Sequence, residues 1–235
     1  MVAQIVAKTD GVPLFVEEVT KTVLESGLLQ EQAGHSALVG SLPALAIPVT
    51  LHDALLARLD RMGTAKSLAQ LGATLGREFS YTLLQAMTAE DEETVRQELQ
   101  QLVGAEVLYQ RGLPPQAMYV FKHALIQDAA YQSLLKRTRQ QYHQHIAQVL
   151  EAQFPETVAM QPELLAHHYT EAGLGAPALD YWQRAGEQAL QRSAHVEAIS
   201  HLRKGLEVLQ GLPTTPERLQ HEMQLQLTLA GIFGE

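Results

Sequence analysis

The sequence predicts a mainly α-helical chain, and three observations carry that expectation. Aromatic residues make up only 6% of the 235 positions, while Ala, Leu and Gln recur throughout, a balance that favours helix over sandwich or barrel. Apolar residues return at three- and four-residue spacing, as in Leu51, Leu55, Leu56 and Leu59, or Leu68, Leu71 and Leu75. Short breaks containing Gly or Pro divide these periodic segments from one another.

The first helix is expected from Pro13 to about Ser26, with Gly27 as its stop. In "GVPLFVEE", residues 11–18, proline suits a first turn whose N–H groups lack intrahelical partners. Glu17 and Glu18 suit the positive end of the helix dipole, and Phe15, Val19 and Val23 form a packing stripe. Residues 30–48, rich in Gly, Ser and Pro, read as a linker or surface loop. Helices follow at "LHDALLARLDRM" and "AKSLAQLGATLG", then a short one in "EFSYTLLQAM" that Ser80 could cap.

A helix over about 91–103 precedes "EVLYQR", a Gly-Leu-Pro-Pro turn and "AMYVFKH". Those two runs read as the chain's one convincing strand pair, because β-branched and aromatic residues flank a breaker turn. Helices before a single β-hairpin, then another helix, outline a winged helix. The pattern is helical again from His123 to Glu151. After "FPETVAMQP" come three or four amphipathic helices in which Ala166, Ala178, Ala185, Ala189 and Ala198 supply small crossing points. Pairs restarting after about 33 residues match degenerate tetratricopeptide-like stacking, with about two copies. The expected division is therefore 1–48, 49–151 for the winged helix, and 152–235 for an incomplete repeat array.

The formal charge is −9 and the pI about 5.6, which argues against broad nucleic-acid binding. The helix of a winged helix that would enter a groove carries Asp91, Glu92, Glu93 and Glu98 against Arg96, the wrong sign for phosphate. Cysteine is absent, so disulfides and thiolate chemistry are excluded. No run approaches the roughly 18 apolar residues of a membrane span, and no signal-peptide pattern opens the chain, so a soluble cytoplasmic protein without membrane partners is expected. His143, His145, His167 and His168 suggest a metal, but H-x-H on a helix points its rings about 200° apart, so none is expected. No G-x-S-x-G elbow or converging acid pair supports catalysis.

Several phrases resemble one family in order: "IVAKTDGVPLFVEEV", "LARLDRM", "LGREFSYTLL", "YVFKHALIQDAAYQSLL", "LLAHHYTEAG" and "YWQRAGEQALQRSAHVEAISHLRKGLEVL". They are similar to bacterial signal-transduction NTPases of the STAND class (AAA/NACHT-like), in particular ATPases joined to adenylate or guanylate cyclase modules. The resemblance implies a P-loop core, a small helical lid, a winged helix and TPR-like repeats, switching with bound ATP or ADP and Mg²⁺. In this chain residues 1–48 would be the lid helix and linker. No G-x-x-x-x-G-K-[ST] loop occurs; the nearest glycine pair, Gly72 and Gly76, lies in a helical pattern.

The resemblance therefore implies a regulatory and interaction fragment without the catalytic core and without a cofactor of its own. The enzyme-class alternative is a part of a functional ATPase or nucleotide cyclase polypeptide. It further implies that Gly11 and Pro13 form a nucleotide-sensing turn and that His123 faces a nucleotide phosphate, although the aspartate that follows this histidine in the apoptotic and plant-resistance relatives is Ala124 here. Partners would be other proteins, through the TPR-like helices. An uncapped array would also self-associate through an exposed face containing Met223, Leu225, Leu227, Leu229 and Phe233.

Overall fold

The computed structural model describes residues 9, 12–25, 29–32, 35–38 and 50–233, and these are mainly helical. They pack as two compact units, one of residues up to Tyr81 with Glu90–Ser133, the other of Thr82–Ala89 with the chain from Leu134 onward.

In the first unit, α1 (Pro13–Glu25) starts at the expected proline. A short antiparallel pair follows, β1 (Leu29–Gln32) and β2 (His35–Leu38), with Leu29 opposite Leu38. This corrects the reading of the segment as loop. Runs of four residues with one or two apolar positions carry too little alternation to announce a strand, and the pairing lies in the backbone. Next come α2 (Leu51–Asp60) and α3 (Ala65–Leu75), the first capped by Thr50, whose side chain accepts from Asp53 N–H at 3.1 Å.

The chain then forms β3 (Glu78–Ser80), α4 (Tyr81–Met87), α5 (Glu92–Gly104), β4 (Leu108–Arg111), β5 (Met118–Phe121) and α6 (Ala124–Gln132), of which α4 belongs to the second unit from Thr82 onward. The sheet has three strands, ordered β3-β5-β4 and antiparallel throughout. Its third member, β3, is not announced by the sequence and lies directly ahead of the expected short helix, which starts at Tyr81. The cause is tertiary: Phe79 is buried and stacks on Tyr119 with ring centroids 6.0 Å apart, and the Tyr81 N–H is taken by the Ala117 carbonyl at 2.9 Å. The glycine pair is structural. A Cβ on Gly72 would meet the Phe79 ring at 2.7 Å, and Gly76 ends α3 with φ of 142°.

The second unit contains α7 (Lys136–Gln153), α8 (Pro155–Met160), α9 (Pro162–Glu171), α10 (Gly175–Gln191), α11 (His195–Gln210) and α12 (Pro216–Phe233). The expected break in "FPETVAMQP" holds a short helix, α8, entered through Pro155. From α9 onward each helix packs on the next. Ala166, Ala178, Ala185, Ala189 and Ala198 are all buried at these crossings.

Two of the connections are the same device. Gly173 and Ser193 take left-handed φ of 77° and 58°, and the N–H after each bonds back five residues, Leu174 to Tyr169 and Ala194 to Ala189, both at 2.9 Å. Helix pairs begin at Pro162 and His195, so the architecture is helical and repeat-like.

The last helix departs from the expected exposed face. Leu225 is buried with Leu179, Leu202 and Leu209, and Leu229 packs against them. Met223 and Leu227 are exposed, and the Phe233 side chain lies outside the described residues. Residues two apart on a helix point to different sides, which divides the candidates. Among the described residues no helix is long and apolar enough to cross a membrane.

Candidate functional site

Of the three candidate sensing residues, Gly11 lies outside the described residues. Pro13 is the exposed first residue of α1. His123 is the N-cap of α6, in extended conformation; its carbonyl accepts from Ile126 N–H at 3.1 Å while its side chain makes no capping bond. The imidazole Nε2 is buried and has no hydrogen-bond partner.

An ion-pair network joins the neighbours of these two residues. Glu17, one turn along α1 from Pro13, accepts from Lys122, the residue before His123, at 3.0 Å. Lys21 also donates to Glu17, at 2.9 Å, and both lysines reach Glu106, with Lys122 at 3.1 Å. Hydrogen bonds from Lys21 and then Lys122 hold the Glu17 carboxyl down to about 2, and the same two partners lower Glu106. For Lys122 the bond it donates to Glu17 leads the upward shift. Glu106 follows α5 with φ of 57°, a left-handed position that usually takes glycine; here it places a carboxylate between two ammonium groups.

Beneath this network lies a buried pair. Arg58 of α2 donates to Glu18 of α1 and to the Ala105 carbonyl, with Glu18 and Arg58 only 2% and 6% exposed. Burial pushes the Glu18 carboxyl up, against the opposing pull of Arg58. The adjacent acids Glu17 and Glu18 thus serve two separate cation sets. Nothing in their spacing shows this, because Arg58, Glu106 and Lys122 are distant in sequence.

A second cluster joins histidines of two helices. His143 of α7 and His168 of α9 meet with Nδ1 atoms 2.8 Å apart, and His167 lies beside them with ring centroids 5.6 and 5.4 Å away. Spacing within one helix cannot reveal it, since the contact is between helices; His145 points away and is exposed. Burial lowers His143 to about 4 and His168 to about 3. Among the described residues no group of three or more His, Asp or Glu side chains is arranged to hold a metal ion.

The second unit also carries an open groove of about 580 Å³ lined by Glu151, Val158, Pro162, Tyr181 and Arg184. Tyr169 and Tyr181 both donate to Glu151, the latter at 2.6 Å, and Arg184 lies over the Tyr181 ring at 5.0 Å.

The chain is 27% identical over 205 residues to an uncharacterized protein of Rhizobium meliloti (strain 1021). The alignment covers 84% of this chain but 19% of that protein, so the chain spans about a fifth of its length. No family model matches the chain. No solved structure matches it.

Proposed function

We propose that the chain is a non-catalytic regulatory and interaction unit of a STAND-type ATPase, coupling nucleotide state to protein contacts. The observation that carries this reading is the orphaned Nε2 of His123 at a corner tied to α1 through Glu17 and Lys122. A buried imidazole nitrogen without a partner calls for an explanation, and a ligand that satisfies it is the one this reading supplies. It would face a nucleotide phosphate, and the ion pairs would transmit its occupancy to α1 and Pro13. Lys21 and Lys122 are committed to carboxylates, so the described residues of the corner offer His123 Nε2 rather than a phosphate cradle. That composition suits sensing and not turnover. The helical array supplies the protein-binding part, with the Tyr181–Arg184 groove as a concavity on it. The much longer relative agrees with a chain that works beside other domains.

The test is NMR of the histidine side chains during titration with ADP and Mg²⁺, paired with an ATP turnover assay. The His123 ring resonances should move at millimolar nucleotide, the weak range expected of a partial site, and phosphate release should equal the protein-free control. Unmoved His123 resonances would remove the sensor role. Turnover that survives repurification would overturn the non-catalytic reading.

A further inference from the structure

The helices of the second unit interlock by a recurring contact. A Cβ on Gly186 of α10 would lie 2.6 Å from a Leu202 methyl carbon of α11, and one on Gly205 of α11 would lie 3.1 Å from a Leu225 methyl carbon of α12. α10 and α11 thus each offer a glycine notch that a leucine of the next helix fills. Gly231 of α12 is the same kind of notch, with nothing among the described residues within 4 Å of where its Cβ would be.

The outer side of α12 bears Leu219, Met223 and Leu227, which are 53%, 60% and 64% exposed. With Gly231 they follow one another at intervals of four and form a single ridge. Every exposed position from Leu219 to Gly231 is Leu, Met, Gln, Ala or Gly. The charged residues of that stretch, beginning with Arg218, are turned aside: Arg218 and Glu222 are half-buried and pair at 3.8 Å. The preceding helices differ, since α10 exposes Asp180, Arg184 and Glu187, and α11 exposes Arg203, Lys204 and Glu207.

We propose that this ridge is a self-association surface on which a second copy of the chain docks, with the two α12 helices antiparallel about a two-fold axis between Met223 and Leu227. In that register Met223 of each copy lies against Leu227 of the other, and Leu219 reaches the open notch at Gly231. The order Leu, Met, Leu, Gly reversed against itself sets each outer leucine opposite a glycine, so the ridge complements its own reverse. No like charges face each other, and none is stripped of water. A membrane is a poorer occupant, because amphipathic surface helices flank their apolar side with Lys or Arg and this one is flanked by Gln. An isologous contact of this kind closes at two copies. A single helix pair is small for a protein interface, so the dimer is weak, in the micromolar range.

Sedimentation velocity of the full chain from low to high micromolar concentration tests this. A reversible monomer–dimer equilibrium is expected, weakened about tenfold or more by Leu227→Glu and by Gly231→Leu. Circular dichroism should be unchanged in both variants. Val196→Glu, at an exposed apolar position of α11 off the ridge, should leave the dimer intact. A monomer at every concentration, open-ended assemblies, or dimers indifferent to Leu227→Glu would each overturn the proposal.

Discussion

Lowering the pH from 7 to 5 should cost the second unit about 3–4 kcal/mol of stability, through two buried histidines. His143 and His168 are 2% and 1% exposed and share one contact between Nδ1 atoms, in which one nitrogen donates and the other accepts. A proton on the accepting nitrogen removes that bond. Burial, and then the charges of His167 and Arg139, hold His143 down to about 4; burial, then His143 and His167, hold His168 down to about 3. A histidine with a folded pKa below its unfolded value near 6.5 binds protons preferentially when unfolded. Its stabilising effect is full above that value and is lost as pH falls through it toward the folded pKa. Each group then contributes about 1.4 kcal/mol per pH unit, or about 2 kcal/mol by pH 5. Ordinary carboxylates titrate lower, and Glu18 and Glu90, whose carboxyls burial raises, belong to the first unit, which leaves the interval from 7 to 5 in the second unit to histidine. Urea melts followed by fluorescence of Trp182, the chain's one tryptophan and part of α10, report this unit. Replacing both partners, His143→Leu with His168→Leu, should flatten the curve to the smaller slope left by His167 and His201, which burial also lowers. A midpoint unchanged from pH 7 to 5, or a double variant that loses as much as the parent, refutes the reasoning.

Two further outcomes follow from the first unit. Arg58→Leu strands the buried Glu18 carboxylate and the Ala105 carbonyl, and should destabilise by about 3–5 kcal/mol, with Glu18→Gln less harmful; chemical denaturation followed by circular dichroism measures both. Pro13→Ala should shift thermal stability by about 1 kcal/mol or less, mostly through the unfolded chain, because Pro13 is exposed and only starts a helix. Unfolding of the chain by Pro13→Ala would show instead that the turn is structural.

Helix was legible from the residues alone, because the apolar period of a helix is local. The last three helices begin within a residue of where their breaks and first periodic residues place them. The β4–β5 hairpin was legible for the same reason, as were the small residues at the crossings. Strand β3 was not: three residues show no period, and Phe79 is extended because Tyr119 and the space above Gly72 receive its ring. Pro13 and His123 could be named from the sequence, but their link through Glu17 and Lys122 could not, since it joins residues 105 apart. His143 and His168 lie 25 apart on separate helices, so local spacing is silent on their meeting and packing alone brings their rings together. Sequence by itself determined the elements whose signal repeats within one or two turns. Only the tertiary structure decided which charges, rings and glycine notches meet, because those contacts depend on how separate helices cross.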